Sequence, residues 1–360
     1  MARFRFRLLV MALFLASLQS ALATTMWYVN GVSGNDKNNC TSPQTACKTI
    51  VHAIALAGPG DSITVAPAIY HENLTINISL SIIGSGARST IIDGGGIAGV
   101  VAIFGAANVI VSKVTIRNGF AIYGAGVFNE GELTINASAV VNNKAGNGTN
   151  GAGGGIYNSG TLRLNASTVN GNSVIGRNAY GGGIFSSSNV ATVSLNNSTI
   201  SGNSSAGTGG GIESYCCLAT INNSTIVGNN ASGSGGGGIY IVNTGRIQNS
   251  ILANNGPAGN CYGSVVSDGY NLSSDDTCHF SGSGDLNNVE PELGSLRNNG
   301  GPTNTMAELL GSPTVDGGNP NGCTDDKGRP LTRDQRGEPR PGKYKKDKRC
   351  DMGACERQTD

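Results

Sequence analysis

The chain has 360 residues, of which 56 are glycine, 5% are aromatic and 13% are charged, and its formal net charge is +1. Against usual values of ~7% glycine and ~25% charged residues, glycine is about doubled and charge about halved. The balance gives no basic field for nucleic acid, and the regular placement of Ile, Leu and Val excludes a disordered chain.

In chain order, residues 1–23 read as a secretory signal peptide. Arg3, Arg5 and Arg7 open it, residues 8–18 form an apolar run, and Ala21-Leu22-Ala23 supplies a cleavage site before Thr24. Loss of the three arginines leaves 21 basic against 23 acidic residues. The run is shorter than the ~20 residues a bilayer span needs. No second run follows, so the expectation is an exported protein without a transmembrane segment. Nine cysteines suit an exported, disulfide-bonded chain. Closeness along the chain pairs Cys40 with Cys47, Cys261 with Cys278 and Cys323 with Cys350. Cys216 and Cys217 are adjacent and Cys355 is left over, so their state stays open. No C-x-x-C pair occurs and the only histidines are His52, His71 and His279, which argues against a Cys/His metal site.

Residues 24–60 begin with a short strand at Trp27, Tyr28 and Val29 and a polar loop. Ile50, Ala53, Ile54 and Ala57 then recur at helical spacing, and Gly58-Pro59-Gly60 ends the helix. From Asp61 the apolar residues alternate: Ile63, Val65, then Leu74, Ile76, Ile78, Leu80 and Ile82. Irregular short strands continue to Val114 and Ile116. A glycine-rich opener then leads into an apolar residue five times, at Gly126-Val127, Gly155-Ile156, Gly183-Ile184, Gly211-Ile212 and Gly238-Ile239, spaced by 29, 28, 28 and 27 residues. Each repeat carries a serine (Ser138, Ser167, Ser198, Ser224, Ser250). An apolar residue stands three before it and another two after it, and five after it stands an asparagine: Asn143, Asn172, Asn203, Asn229, Asn255.

Such a period marks a solenoid. Like residues fall on like if each repeat is one coil, with coils ~4.8 Å apart. The predicted fold is all-β: a single-stranded parallel β-helix over 61–285. The helix within 24–60 caps its open end, and a loop-rich module over 286–360 follows. The apolar columns fill the interior, the asparagines form a ladder, and the glycine runs mark a bend needing positive φ.

The rungs Gly154-Gly155-Ile156-Tyr157 and Thr168-Val169-Asn170-Gly171-Asn172 resemble the paired repeats of chlamydial polymorphic outer-membrane proteins, within the pectin-lyase-like β-helix class, and that resemblance implies a right-handed parallel β-helix. Residues Asp268-Gly269-Tyr270-Asn271-Leu272, Asn299-Gly300-Gly301-Pro302-Thr303, Gly311-Ser312-Pro313-Thr314-Val315-Asp316-Gly317-Gly318 and Cys350-Asp351-Met352-Gly353-Ala354-Cys355-Glu356 are similar to a choice-of-anchor Q module. Cys355 stands where that module carries an aromatic residue. These resemblances imply a bacterial surface or secreted protein. In the last module Arg336 and Arg340 stand beside Asp334 and Asp351 as candidate internal ion pairs.

The scaffold also hosts enzymes. Glycoside hydrolysis needs two facing carboxylates, and a calcium-assisted lyase needs several carboxylates and a base. Between Asp93 and Asp268 there is no Asp and no His, and Glu130, Glu132 and Glu213 are the only Glu. Catalytic candidates therefore fall on the irregular early rungs: His71, Glu72, Asp93 and Arg117. Calcium is the one cofactor with candidate ligands, at Asp268, Asp275, Asp276 and Asp285. The expected function is non-catalytic: a polar Asn/Ser/Thr/Gly face presented to a polysaccharide or cell-surface glycan, with association to the outer membrane or cell surface. The alternatives are a polysaccharide lyase or hydrolase, and a structural stalk. The Asn-x-Ser/Thr triplets read as ladder chemistry rather than glycan sites.

Overall fold

The computed structural model describes residues 24–215, 217–342 and 349–358. Residues 1–23, expected above to be a signal peptide, lie outside the described residues, as do Cys216, 343–348 and 359–360.

The described chain is a parallel β-helix. Each regular coil runs through a fixed course. Val127–Asn129 and Glu132–Asn136 form two adjacent rows of a 16-stranded first sheet. Ala139–Val141 enters a 10-stranded second sheet, and Lys144–Ala152 a six-stranded third. Pairing is parallel and in register from coil to coil: Val127 with Ile156, Ile156 with Ile184, Ile184 with Ile212 and Ile212 with Ile239. In the last regular coil one long strand, Ile239–Gln248, carries both rows of the first sheet. The Gly/Asn stretch Lys144–Ala152 is a strand paired with Ser173–Tyr180. Parallel backbone pairing needs no side chain, so a glycine-rich segment can still ladder.

The core follows from the alternation. Val127, Leu133, Ile135 and Val140 point inward, and their equivalents in successive coils stack into one continuous buried cluster. Two polar ladders run inside it. Asn172 Oδ1 accepts from the amide and side chain of Asn143 at 3.0 and 2.9 Å. Asn203, Asn229 and Asn255 repeat the arrangement. The serines form a second ladder: each hydroxyl from Ser167 onward accepts the preceding coil's serine amide, Ser138 accepts the Val114 amide, and each donates to a carbonyl of its own coil. Both satisfy backbone groups at the bends either side of the second sheet, where no sheet partner is available. The glycine bend has two demands. Gly153 and Gly181 adopt φ of +63° and +59°, and a Cβ on Gly155 would sit 2.6 Å from the Gly183 carbonyl oxygen.

The helix Ile50–Leu56 packs against Met26–Val29, Ser62–Val65 and Leu74–Ile76, burying Ile50 and Ala53. It starts at Thr49, whose side chain accepts the His52 amide. Disulfides join Cys40–Cys47, Cys261–Cys278 and Cys323–Cys350. Cys217 and Cys355 are free and buried.

After Asn287 the chain turns back along the outer face of the second sheet. Gln335 bonds Thr168 and Thr199, Asn197 bonds the Arg333 carbonyl, Asn223 the Thr324 carbonyl, and Arg88 reaches Asn298 and Asn304. Val227, Ile251, Ala253, Leu272 and Met352 make a second small core beneath it. Its ion pairs differ from expectation in one partner. Arg336 pairs with Asp334 at 2.7 Å, but Arg340 pairs with Glu356 rather than Asp351, with Nε 3.0 Å from Oε2 though off the line of a hydrogen bond. The reason is placement: the Asp351 carboxylate is taken up by the amides of Asp316 and Arg357.

Candidate functional site: an aromatic ridge

The repeated polar columns do not make a surface. Asn143, Asn172, Asn203, Asn229 and Asn255 are all buried, as are Ser138, Ser167, Ser198, Ser224 and Ser250. The expected polar face is thus not built from these columns: their side chains satisfy interior backbone, and Thr199 and Thr225 bond Gln335 and Ala354 of the returning C-terminal segment.

The outward column of the first sheet is different. The residue after each inward opener points out. The register places Ala102, Phe128, Tyr157, Phe185, Glu213, Tyr240 and Tyr262 side by side. Phe128 stacks on Tyr157 with centroids 5.1 Å apart, and Tyr240 on Tyr262 at the same distance. Phe104 extends the row beyond Phe128, and Tyr123 and Tyr180 lean in beside Tyr157 and Phe185 at 5.6 Å. Tyr157 Oη lies 2.9 Å from Ser187 Oγ. Eight rings of a chain with only 5% aromatics are gathered on one strip. Phe104, Tyr123, Tyr180 and Tyr262 are 39–52% exposed. Exposed aromatic strips of this kind mark interaction surfaces.

Glu213 interrupts the row. It is 1% exposed. Its Oε2 accepts from the Thr208 hydroxyl at 2.8 Å and the Gly181 amide at 3.2 Å. Burial pushes its carboxyl up to about 7 against the pull of those two bonds. Burial, with Glu213 and the neighbouring tyrosines, also raises the Tyr240 hydroxyl. A carboxyl raised in the folded state stabilises the fold below its unfolded pKa and loses that contribution as pH rises through the folded value. Glu213→Gln is therefore expected to melt like the parent at pH 4. At pH 8.5 it should be more stable, by up to about 3 kcal/mol, the worth of a shift of this size. Thermal melts of both proteins across pH check this; equal stability at pH 8.5 contradicts it.

The early-rung candidates are partly gathered. His71, Asp93 and Arg117 share one column of the second sheet. Arg117 Nε is 2.7 Å from Asp93 Oδ2, which also accepts from Asn118. Burial acts to raise Asp93, but the Gly95 amide, Arg117 and Asn118 outweigh it and hold the carboxyl below the usual range. Glu72 is turned away. It accepts the Ile50 and Val51 amides at 3.0 and 2.8 Å, fastening the helix, and burial nonetheless raises its carboxyl. The four calcium candidates are not brought together. Asp268 pairs with Arg246, Asp275 binds Thr277 and the Asn260 amide, and Asp285 binds Ser267 and the Gly282 and Asn271 amides. Among the described residues the one trio within metal-ligand distance is Cys40, Cys47 and His52, whose sulfurs form a disulfide.

Sequence reasoning passed over the ridge. The signal is in plain view: the position after Val127, Ile156, Ile184, Ile212 and Ile239 reads Phe, Tyr, Phe, Glu, Tyr.

No protein-family model matches the chain, and no curated protein matches its sequence. Among solved structures it is similar to pectate lyase Pel9A, at 16% identity over 94% of this chain and 98% of that one, with a TM-score of 0.49. It is also similar to pectin methylesterase PemA from Erwinia chrysanthemi, at 16% identity over 81% and 87%, with a TM-score of 0.38. The assignment of the fold rests on the strand register described above.

Proposed function

We propose that the protein is an exported, non-catalytic carbohydrate-binding β-helix that lays a polysaccharide chain along the aromatic ridge. The ridge itself carries the reading. Sugar rings have apolar C–H faces and polar rims. A strip of rings with hydroxyls at its margin (Tyr123, Tyr157, Tyr180, Tyr240, Tyr262) matches both, and tyrosine suits surfaces that are apolar at one end and wet at the other. The length of the strip follows from the stacking of coils, so it suits an extended chain rather than a single small molecule. Three disulfides fit an oxidising compartment, and among the described residues no helix is long and apolar enough to cross a membrane. Placement at the bacterial cell surface or in the medium is part of the proposal.

The non-catalytic part rests on the acids. Glu213 is buried and held by the Thr208 hydroxyl and the Gly181 amide. Asp93 is closed by Arg117, and Glu72 by the helix. The paired acid and base of a glycosidase have no counterpart there.

Affinity electrophoresis against a panel of neutral and acidic polysaccharides tests the proposal. At least one polymer should retard the protein, and Tyr180→Ala combined with Tyr123→Ala should weaken that binding at least tenfold. Both side chains are exposed, so the variant should melt within about 1 kcal/mol of the parent. Binding untouched by the double substitution, or steady release of new unsaturated or reducing ends from the polymer, goes against it.

A further inference from the structure

The returning C-terminal segment does not cover the whole second sheet. Over the coils that carry Thr199 and Thr225 it seals the outer face. Over the earlier coils it stands off, and a cleft of about 340 Å³ remains between the sheet and residues 296–304. The floor is the outward face of successive strands: Ala139 and Val141, with Asn170 beyond them. Arg88, Arg117 and Asn304 also line it, with Arg88 and Asn304 in direct contact.

The charge of this cleft is one-sided. No carboxylate is among its lining residues. Arg88 is exposed, and its guanidinium donates to the neutral side-chain oxygens of Asn304 and Asn298 at 3.0 and 2.9 Å. Those bonds fix its orientation without cancelling its charge. Arg117 spends Nε on Asp93 and has two further nitrogens for a ligand. A planar guanidinium held in place by neutral acceptors is suited to a bidentate oxyanion. The small apolar floor suits the C–H face of a ring, and the flanking amides suit hydroxyls.

We propose that this cleft is a second binding site, taking one acidic sugar unit, a pyranose ring bearing a carboxylate or a sulfate. It lies on a different sheet from the aromatic ridge, and it stands or falls independently of the ridge. The site would select for charge where the ridge selects for extended shape.

The test is isothermal titration of the full chain with three probes: a hexuronate tetrasaccharide, an O-sulfated hexose tetrasaccharide and an uncharged hexose tetrasaccharide. At least one acidic probe should bind ten or more times tighter than the uncharged one, and should weaken as salt rises. Ala139→Trp fills the floor without removing a charge and should cost that probe at least tenfold. Arg88→Gln should bring it to the level of the uncharged probe, and the ridge variant Tyr180→Ala should leave its affinity within twofold. Equal affinity for charged and uncharged probes overturns the proposal, as does acidic binding that survives Ala139→Trp. Because Arg88 also holds residues 298 and 304, the Ala139 variant decides if Arg88→Gln fails to fold.

Discussion

Asn203→Leu is expected to cost about 4 kcal/mol and to split the melting of the β-helix into two transitions. Asn203 Oδ1 accepts from the amide and side chain of Asn172, and its Nδ2 donates to the Val169 carbonyl and to Asn229 Oδ1. Leucine fills similar volume but satisfies none of these. Each buried group left without a partner costs about 1–3 kcal/mol, and the residue is wholly buried, so water cannot replace it. Coils contact only their neighbours, and stability in such a stack is a sum of local terms. A break at a middle rung should therefore uncouple the halves. The control is Asn178, which donates to Asn150 in an exposed ladder. Asn178→Ala should change stability by less than about 0.5 kcal/mol. Calorimetry of both variants checks the pair. A single unshifted transition for Asn203→Leu would mean the interior ladder contributes nothing.

The second large effect is expected at Arg340. Its side chain is fully buried. Beyond the pair with Glu356, it donates to Asn197 of the β-helix and to the carbonyls of Gly353 and Cys355. One guanidinium thus ties the last described residues to the second sheet. Arg340→Leu leaves Glu356 buried without its cation, and breaking a buried pair from one side costs about 3–5 kcal/mol. The loss should be local. Limited proteolysis should cut the returning segment of the variant while the coils stay protected. Arg340→Lys should not rescue it, because an ammonium cannot reach the acceptors that the planar fork spans. Burial also pushes the neighbouring Glu308 carboxyl up to about 8, with Asp351 adding to the effect. The segment is therefore expected to loosen further as pH rises past that value, since ionising Glu308 there is unfavourable.

How much of this was legible in the sequence depended on what each residue answers to. The inward columns and the asparagine ladder repeat at a fixed spacing, because stacked coils demand the same side chain at the same place. Val127, Ile156 and Asn172 could be placed from that alone. The ridge repeats just as regularly, but Phe128, Tyr157 and Phe185 sit among glycines that draw attention to the bend. Their meaning needed the outward direction of that one position. Glu213 could be seen as an isolated acid, but its burial under neighbouring coils could not. The cleft at Arg88 depends on the chain folding back across more than 200 residues, as the bond from Arg88 to Asn304 shows, and the burial of the Arg340–Glu356 pair depends on the same return, which brings Arg340 to Asn197. No local pattern encodes such a return.

The most direct test of the central claim is tyrosine nitration with and without a saturating amount of the polysaccharide that binds. Tyr123, Tyr180 and Tyr262 on the ridge are exposed and should react freely in the unbound protein. Bound polymer should protect all three at least fivefold, while Tyr28, which lies off the ridge on the strand Met26–Val29, keeps its own rate. Unchanged nitration of the three ridge tyrosines in the saturated complex would contradict the account.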